Sequence, residues 1–398
     1  MSTHPHISRR AASIEGSPTL EIAAVAAAMR AEGKDVVSFT AGEPDMGTPP
    51  LVDEIAIAAI RGAKGRYTSA AGLPELRRAI SERFAKDGYS YAPDAVMAVA
   101  GAKSGLYMAL YACVEEGEEV IFPSPFWGSY TELVRAVGGV PRPLPCDAAH
   151  DYQPEIARMA AMITPRTRAI LLNSPNNPTG TVYSRETLLG VAELARRHDL
   201  TIISDDIYDC LVYSDEPFLN VLKVAPDLAD RTIIVNSLSK SHSMTGWRFG
   251  FVGGPKPLIQ VMARVQSQIS GNPNTIAQLA AIAALRGEID PTRRQSLNER
   301  RKLMVQELAK VPGVTFPVPR GAFYVFLCVS NWIGRSWRGQ RLESSAQIAD
   351  VLLNDMLVAI VPGEAFGAPA HIRLTYTVSE AHIREGVTRL ARFASELT

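Results

Sequence analysis

Four cysteines in 398 residues are too few and too scattered for a disulfide framework. Cys113, Cys146, Cys210 and Cys328 show no metal-ligand spacing, so no zinc ribbon or finger is expected and no metal site is assigned. They read as reduced, mostly packed thiols of a reducing compartment. Neither sign of charge is in excess: 41 Lys and Arg balance 41 Asp and Glu. That removes the basic footprint of a nucleic-acid binder and gives no reason to expect a membrane surface. No apolar run approaches the length of a membrane span. The polar start, Met1 to Ser13, carries Arg9 and Arg10, but no signal-peptide core follows it. Internal repeats and low-complexity linkers are missing as well. The expectation is a cytoplasmic protein of ordinary globular composition, 46% apolar, whose length suggests two domains.

What is present alternates. Helical spacing runs from Leu20 to Ala31, Leu51 to Arg61 and Pro74 to Lys86, with a short strand from Val36 to Phe39. From Ala95 onward, strands trade with helices. The strands are Ala95 to Ala100, Val120 to Phe122, Ala169 to Leu172, Thr201 to Ser204, Thr232 to Val235 and Phe249 to Val252. The helices between them include Ser104 to Glu115, Trp127 to Val137 and Arg185 to His198. Such alternation predicts an α/β fold, a mainly parallel sheet covered on both faces. Beyond Thr292 the pattern becomes a smaller α+β layer, with strands at Ala322 to Cys328, Val358 to Val361 and Ile372 to Thr375. The expected division is 1–50 as an N-terminal arm with part of a small domain, 51–290 as the large domain, and 291–398 as the rest of the small one. Trp332 to Arg341 mixes Trp with Arg and reads as a solvated loop.

Several loops just past predicted strands carry chemistry. Ser237-Leu238-Ser239-Lys240 follows an apolar β-branched run, and Met244-Thr245-Gly246-Trp247-Arg248-Phe249-Gly250 follows it in turn. A lysine among small side chains can be packed closely by a bulky ligand, and desolvation lowers its pKa. A neutral amine is what Schiff-base chemistry needs. Gly101-Ala102-Lys103-Ser104-Gly105 joins a strand to a helix, where free N–H groups and the helix dipole suit an anion. Arg248 adds a permanent forked charge and Ser237 a hydroxyl. Ile202-Ile203-Ser204-Asp205-Asp206 ends an apolar strand in two carboxylates, where α/β sheets place their ligands. Trp127, in Pro125-Phe126-Trp127-Gly128, is a flat plate at another such turn, and Asn173 to Gly180 forms a loop stiffened by Pro175 and Pro178. Arg373 alternates with Ile372 and Leu374, a pattern that by itself reads as a surface arginine.

Taken in order from Gly42 to Arg373, these motifs resemble the pyridoxal-phosphate-dependent class I/II aminotransferases of fold type I, of the aspartate-aminotransferase kind. The resemblance implies a mainly parallel seven-stranded sheet, pyridoxal 5'-phosphate as cofactor, and a homodimer with shared sites. It gives Lys240 the covalent hold on the cofactor and the proton transfer, Asp205 the ring nitrogen, and Tyr208 and Asn177 the ring hydroxyl. The Gly101, Ala102 and Lys103 turn, Ser237 and Arg248 would hold the phosphate, joined by Tyr67 from the neighbouring subunit. Trp127 would stack on the ring, and Gly42 and Arg373 would take the substrate α-carboxylate, with Trp127 and Asn177 beside the substrate. The implied activity moves an amino group between an L-amino acid, aspartate-type or aromatic, and a 2-oxo acid such as 2-oxoglutarate. Glu15 stands where some relatives have a lysine that reads a distal carboxylate, which sets an expectation of repulsion toward acidic donors. The same anchors would serve a carbon–sulfur lyase, a decarboxylase or an oxidase. A non-catalytic cofactor-binding regulator is disfavoured by the short arm and the neutral charge.

Overall fold

The computed structural model describes residues 7–214 and 217–398; the first six residues of the expected arm lie outside them. After β1 (Val37–Ser38) come β2 (Val96–Val99), β3 (Glu119–Ser124), β4 (Val140–Pro145), β5 (Thr167–Asn173), β6 (Thr201–Asp205), β7 (Thr232–Ser237) and β8 (Gly250–Gly253). The last seven form one sheet in the order β2-β8-β7-β6-β5-β3-β4. The block from β7 to β4 is parallel, while β8 runs antiparallel to both β7 and β2. Alternate residues of each strand feed opposite layers. Ile121, Ile170, Ile202 and Ile234 enter one core with Leu188 and Val191, whereas Val120, Leu171, Ile203 and Val235 enter another with Leu106 and Met262.

The covering helices form where their sequences stop and start them. In helix Arg185–His198 the Ser184 hydroxyl accepts from the Thr187 N–H, Arg196, Arg197 and His198 occupy the last turn, and Asp199 ends it in the left-handed region at φ 52°. Such a cap contributes about 1 kcal/mol, and the basic last turn complements the helix dipole. Leu188, Val191, Ala192 and Ala195 are its buried face.

β4 is not among the expected strands, since its Val-Pro-Arg-Pro-Leu-Pro run carries three prolines. It lies at the sheet edge, where a residue without an N–H leaves no ladder bond unmade. The same prolines blunt that edge against pairing with another chain.

A second sheet forms from β9 (Tyr324–Cys328), followed by a hairpin of β10 (Ser336–Trp337) and β11 (Gln340–Arg341), then β12 (Val358–Ala359), β13 (Val361–Pro362) and β14 (His371–Thr375). The antiparallel order is β13-β14-β9, and β12 leaves it to pair in parallel with β1. The single strand expected from Val358 to Val361 is therefore two, serving different partners. Trp332 to Arg341 is also corrected. Trp332 is 1% exposed and donates to the Pro312 carbonyl at 2.9 Å, and Trp337 is buried with its Nε1 2.6 Å from Asp355 Oδ2. Both indoles pack on Phe393, so the tryptophans belong to the core and the arginines face out. Among the described residues no helix is long and apolar enough to cross a membrane.

Candidate active site

Parallel strands end on one edge, and the register sets their last residues side by side: Asn173 opposite Asp205, and Asp205 opposite Val235 two residues before Ser237. The antiparallel neighbours return to the same edge, with Gly250 opposite both Ser237 and Val99. A cavity of about 640 Å³ opens there, lined by Lys103, Trp127, Asp205, Lys240, Arg248 and Arg373 among others.

Lys240 sits in the short helix Leu238–Ser241 and donates its amine to the Gly42 carbonyl. Burial pulls the amine down to about 8; Glu43 opposes this, and Arg373 and Arg248 add to it. Asp205 is 2% exposed. Its Oδ2 accepts from the Tyr130 hydroxyl at 2.7 Å, and its Oδ1 is buried without a partner. Burial raises this carboxyl to about 6, against the Tyr130 hydrogen bond, the Ile207 N–H and Lys240. An unpaired buried carboxylate oxygen costs several kcal/mol unless a donor meets it. A protonated ring nitrogen is such a donor.

Arg373 presents the same situation with opposite charge. It does face away from Ile372 and Leu374, but that face is the cavity rather than solvent, and the residue is 2% exposed. Its guanidinium lies 4.3 Å over the Tyr324 ring and 4.9 Å over Phe366, and donates to Asn177 Oδ1 and the Thr40 carbonyl at 3.0 Å each. No carboxylate pairs with it among the described residues, Nε has no partner, and burial pulls its pKa down. A carboxylate entering the cavity would supply what this charge lacks.

At the Gly101 turn, φ is 88°, and a Cβ there would come within 2.5 Å of the Arg248 guanidinium. The positive φ favours glycine, and a side chain there would also push the Arg248 guanidinium aside. It precedes helix Ala102–Cys113, so first-turn N–H groups and Arg248 converge on one spot, a fit for phosphate. Arg248 itself holds a left-handed φ of 52° and donates to the Thr245 carbonyl at 2.8 Å.

Other expected residues fall differently. The Ser237 hydroxyl is bound to the Phe249 carbonyl at 2.8 Å and Ser239 Oγ at 2.7 Å; Ser239, not Ser237, lines the cavity. Lys103 contributes its backbone to the anion turn, but its amine stands 4.7 Å over the Trp127 ring, without a carboxylate partner among the described residues. Tyr208 is buried and its hydroxyl lies 3.0 Å from that of Tyr324. Tyr67 is 98% exposed and does not line this chain's cavity. Glu15 is not in the cavity either. Its N–H donates to Glu132 and its carboxylate lies 4.0 Å from Arg135, on the outer face of helix Ser129–Ala136, so the expected repulsion is directed elsewhere.

Tyr130, Tyr324, Thr40 and Ser239 were missed. Only Tyr130 carries a signal, standing one helical turn after Trp127 and packing edge-on against it at 5.5 Å.

A family model described as aminotransferase class I and II matches residues 34–390. Similar proteins include the probable aspartate/prephenate aminotransferase of Aquifex aeolicus, 39% identical over 98% of this chain and 99% of that one. The aspartate aminotransferase of Rhizobium meliloti strain 1021 is 40% identical over 98% of this chain and 96% of its own. A crystal structure of an aspartate aminotransferase from Rhizobium meliloti superposes with a TM-score of 0.95 at 39% identity, covering 99% and 100% of the two chains. A Thermus thermophilus aspartate aminotransferase solved with maleate gives 0.92 at 38%, covering 98% and 100%. Fold, site chemistry and likeness over nearly the whole length agree: the chain belongs to the class I and II aminotransferases and is a pyridoxal-phosphate enzyme.

Proposed function

We propose that this aminotransferase takes an amino acid with an anionic side chain, aspartate-type, as donor and a 2-oxo acid such as 2-oxoglutarate as acceptor. The convergence of an amine, an unpaired carboxylate oxygen and an unpaired guanidinium in one cavity carries the reading. Pyridoxal phosphate, when bound, supplies an electron sink for the charge left when the substrate Cα–H bond breaks. Lys240 Nζ takes the Cα proton and returns it across the cavity, a task suited to an amine held near neutrality. Asp205 Oδ1 keeps a proton on the ring nitrogen. Tyr208 and Asn177 would meet the ring hydroxyl, Trp127 would stack on the ring, and the Gly101 turn with Arg248 and Ser239 would hold the phosphate. Arg373 and Gly42 take the α-carboxylate.

The donor class rests on Lys103 and Arg30, which line the cavity without carboxylate partners among the described residues. Glu15 is turned to Arg135, and of the acids in the cavity wall Glu43 accepts from the Thr245 hydroxyl and Asp205 from that of Tyr130. Maleate, seen with the similar Thermus thermophilus enzyme, is a dicarboxylate of the expected length.

A homodimer is part of the reading. Tyr67 follows helix Pro50–Arg61 in the chain, and the exposed Ile57 and Ile60 of that helix stand one turn apart, an apolar surface suited to a second copy. In favour of a division into residues 51–290 against 1–50 with 291–398, the seven-stranded sheet draws all its strands from the first and β1 pairs with β12 within the second. Free, partly buried cysteines support a cytoplasmic location.

Borohydride reduction of the yellow protein should fix the cofactor on Lys240, and Lys240→Ala should bind cofactor without turnover. A label on another lysine, or full activity of the variant, would remove the assignment. In a donor panel, aspartate should lead, and Lys103→Met should raise its KM more than that of alanine.

A further inference from the structure

Two tyrosine hydroxyls meet in the cavity wall, 3.0 Å apart and buried: Tyr208, just past β6, and Tyr324, the first residue of β9. Among the described residues neither hydroxyl has another hydrogen-bond partner, so between them they hold two protons and one contact. If Tyr208 gave its proton to Tyr324, it would face the cavity as an acceptor only. If Tyr324 donates, the Tyr208 proton points into the cavity, and its O–H is a stronger donor for having accepted one bond already. An anionic ring oxygen in front of Tyr208 favours the second arrangement.

We propose that Tyr324 is a positioning residue, acting through Tyr208 by fixing the direction of that hydroxyl's proton toward the cofactor's ring oxygen. This rests on the reading above that Tyr208 faces that oxygen. Tyr324 is also the platform under Arg373, at 4.3 Å, and its hydroxyl is 3.4 Å from where a Cβ at Gly42 would sit. Replacing it by phenylalanine keeps the platform and removes only the hydroxyl.

A donor on the ring oxygen stabilises negative charge there. It thereby weakens the oxygen's hold on the proton shared with the nitrogen through which Lys240 carries the cofactor. Loss of that proton changes the visible absorption, so its pH midpoint reports the strength of the Tyr208 bond. In Tyr324→Phe the midpoint should rise by about half a pH unit, a roughly threefold change in proton affinity. Cofactor should bind the apoprotein about threefold more weakly, with the thermal midpoint of the apoprotein held within about 2 °C. Tyr208→Phe should raise the midpoint further, and the double variant should match Tyr208→Phe alone. An unmoved midpoint in Tyr324→Phe beside a shifted one in Tyr208→Phe would overturn the relay. So would a double variant showing the sum of the two shifts. No shift in Tyr208→Phe would overturn the reading of Tyr208 itself, and the relay with it.

Discussion

Two adjacent aspartates at the end of β6 stand in opposite conditions. Asp206 shares a side of the chain with Ser204 and is fully met: Ser204 Oγ donates to it at 2.5 Å and Asn220 Nδ2 at 2.7 Å. Next to it, Asp209 binds Arg83 and Asn236 at 2.9 Å each, and Arg83 also holds Asp87. This layer beneath the cavity is a closed network, with buried polar groups paired as a stable interior requires. Asp205, one residue earlier, keeps an oxygen unpaired, as Arg373 across the cavity keeps a nitrogen. The chain itself satisfies Asp206, whereas Asp205 and Arg373, which line the cavity, each keep an atom for a ligand. Burial alone does not separate the two, since both aspartates are equally covered.

Substitutions at the two positions should therefore have opposite consequences. Asp205→Asn should cut kcat by about 10²–10³-fold, the effect of losing one preorganised charge, while leaving apoprotein stability unchanged or slightly higher. Turnover within threefold of the parent would sink its role at the ring nitrogen. Asp206→Ala should do the reverse, costing about 1–3 kcal/mol in urea unfolding because Ser204 and Asn220 lose their acceptor. Its activity per folded molecule should stay within a few fold; a large loss there would erase the distinction drawn above.

Much of this site was legible because its residues cluster in short, specified loops after apolar strands. Lys240, Asp205, Arg248 and the Gly101 turn all lie where the strand ends predicted them. The sheet was legible for the same reason, apart from β4, whose prolines disguise an edge strand as a turn. What stayed hidden depends on contacts across the chain. Tyr324 reaches Tyr208 over 116 positions and Arg373 reaches Thr40 over 333, and no local period reports such meetings. Alternation placed Arg373 on the face opposite Ile372 and Leu374 but could not say whether that face meets water or a cavity. For Trp332 and Trp337 the charged neighbours misled, because their arginines cover a hydrophobic pair.

Tyr130→Phe tests the border between the two layers with a smaller effect. Its hydroxyl holds Asp205 Oδ2, so its loss frees the carboxylate to turn and removes one charge-assisted bond. Cofactor should bind about tenfold more weakly, with the apoprotein fold intact, since the ring keeps its contacts with Trp127 and Phe122. Equal affinity in an apoprotein titration would show that Asp205 needs no such support.

The smallest effect is in the pH dependence of the scaffold. Burial raises Asp206 to about 7, opposed by the Ser204 and Asn220 hydrogen bonds. Its native pKa thus lies above the ordinary carboxyl value near 4, so between those limits the native state binds more protons than the unfolded one. Stability from this group is present below about pH 4 and is lost as pH rises toward 7. Asp205, raised to about 6 in the apoprotein, acts in the same direction over a narrower range. Urea unfolding of the apoprotein across pH 4.5–7, a span set by those shifts, should give a flatter curve for Asp206→Asn than for the parent. Parallel curves would mean that Asp206 stays ionised throughout, its two donors outweighing the cost of burial. Asp206 would then be satisfied as an ion, and what sets Asp205 apart would be the unpaired oxygen alone.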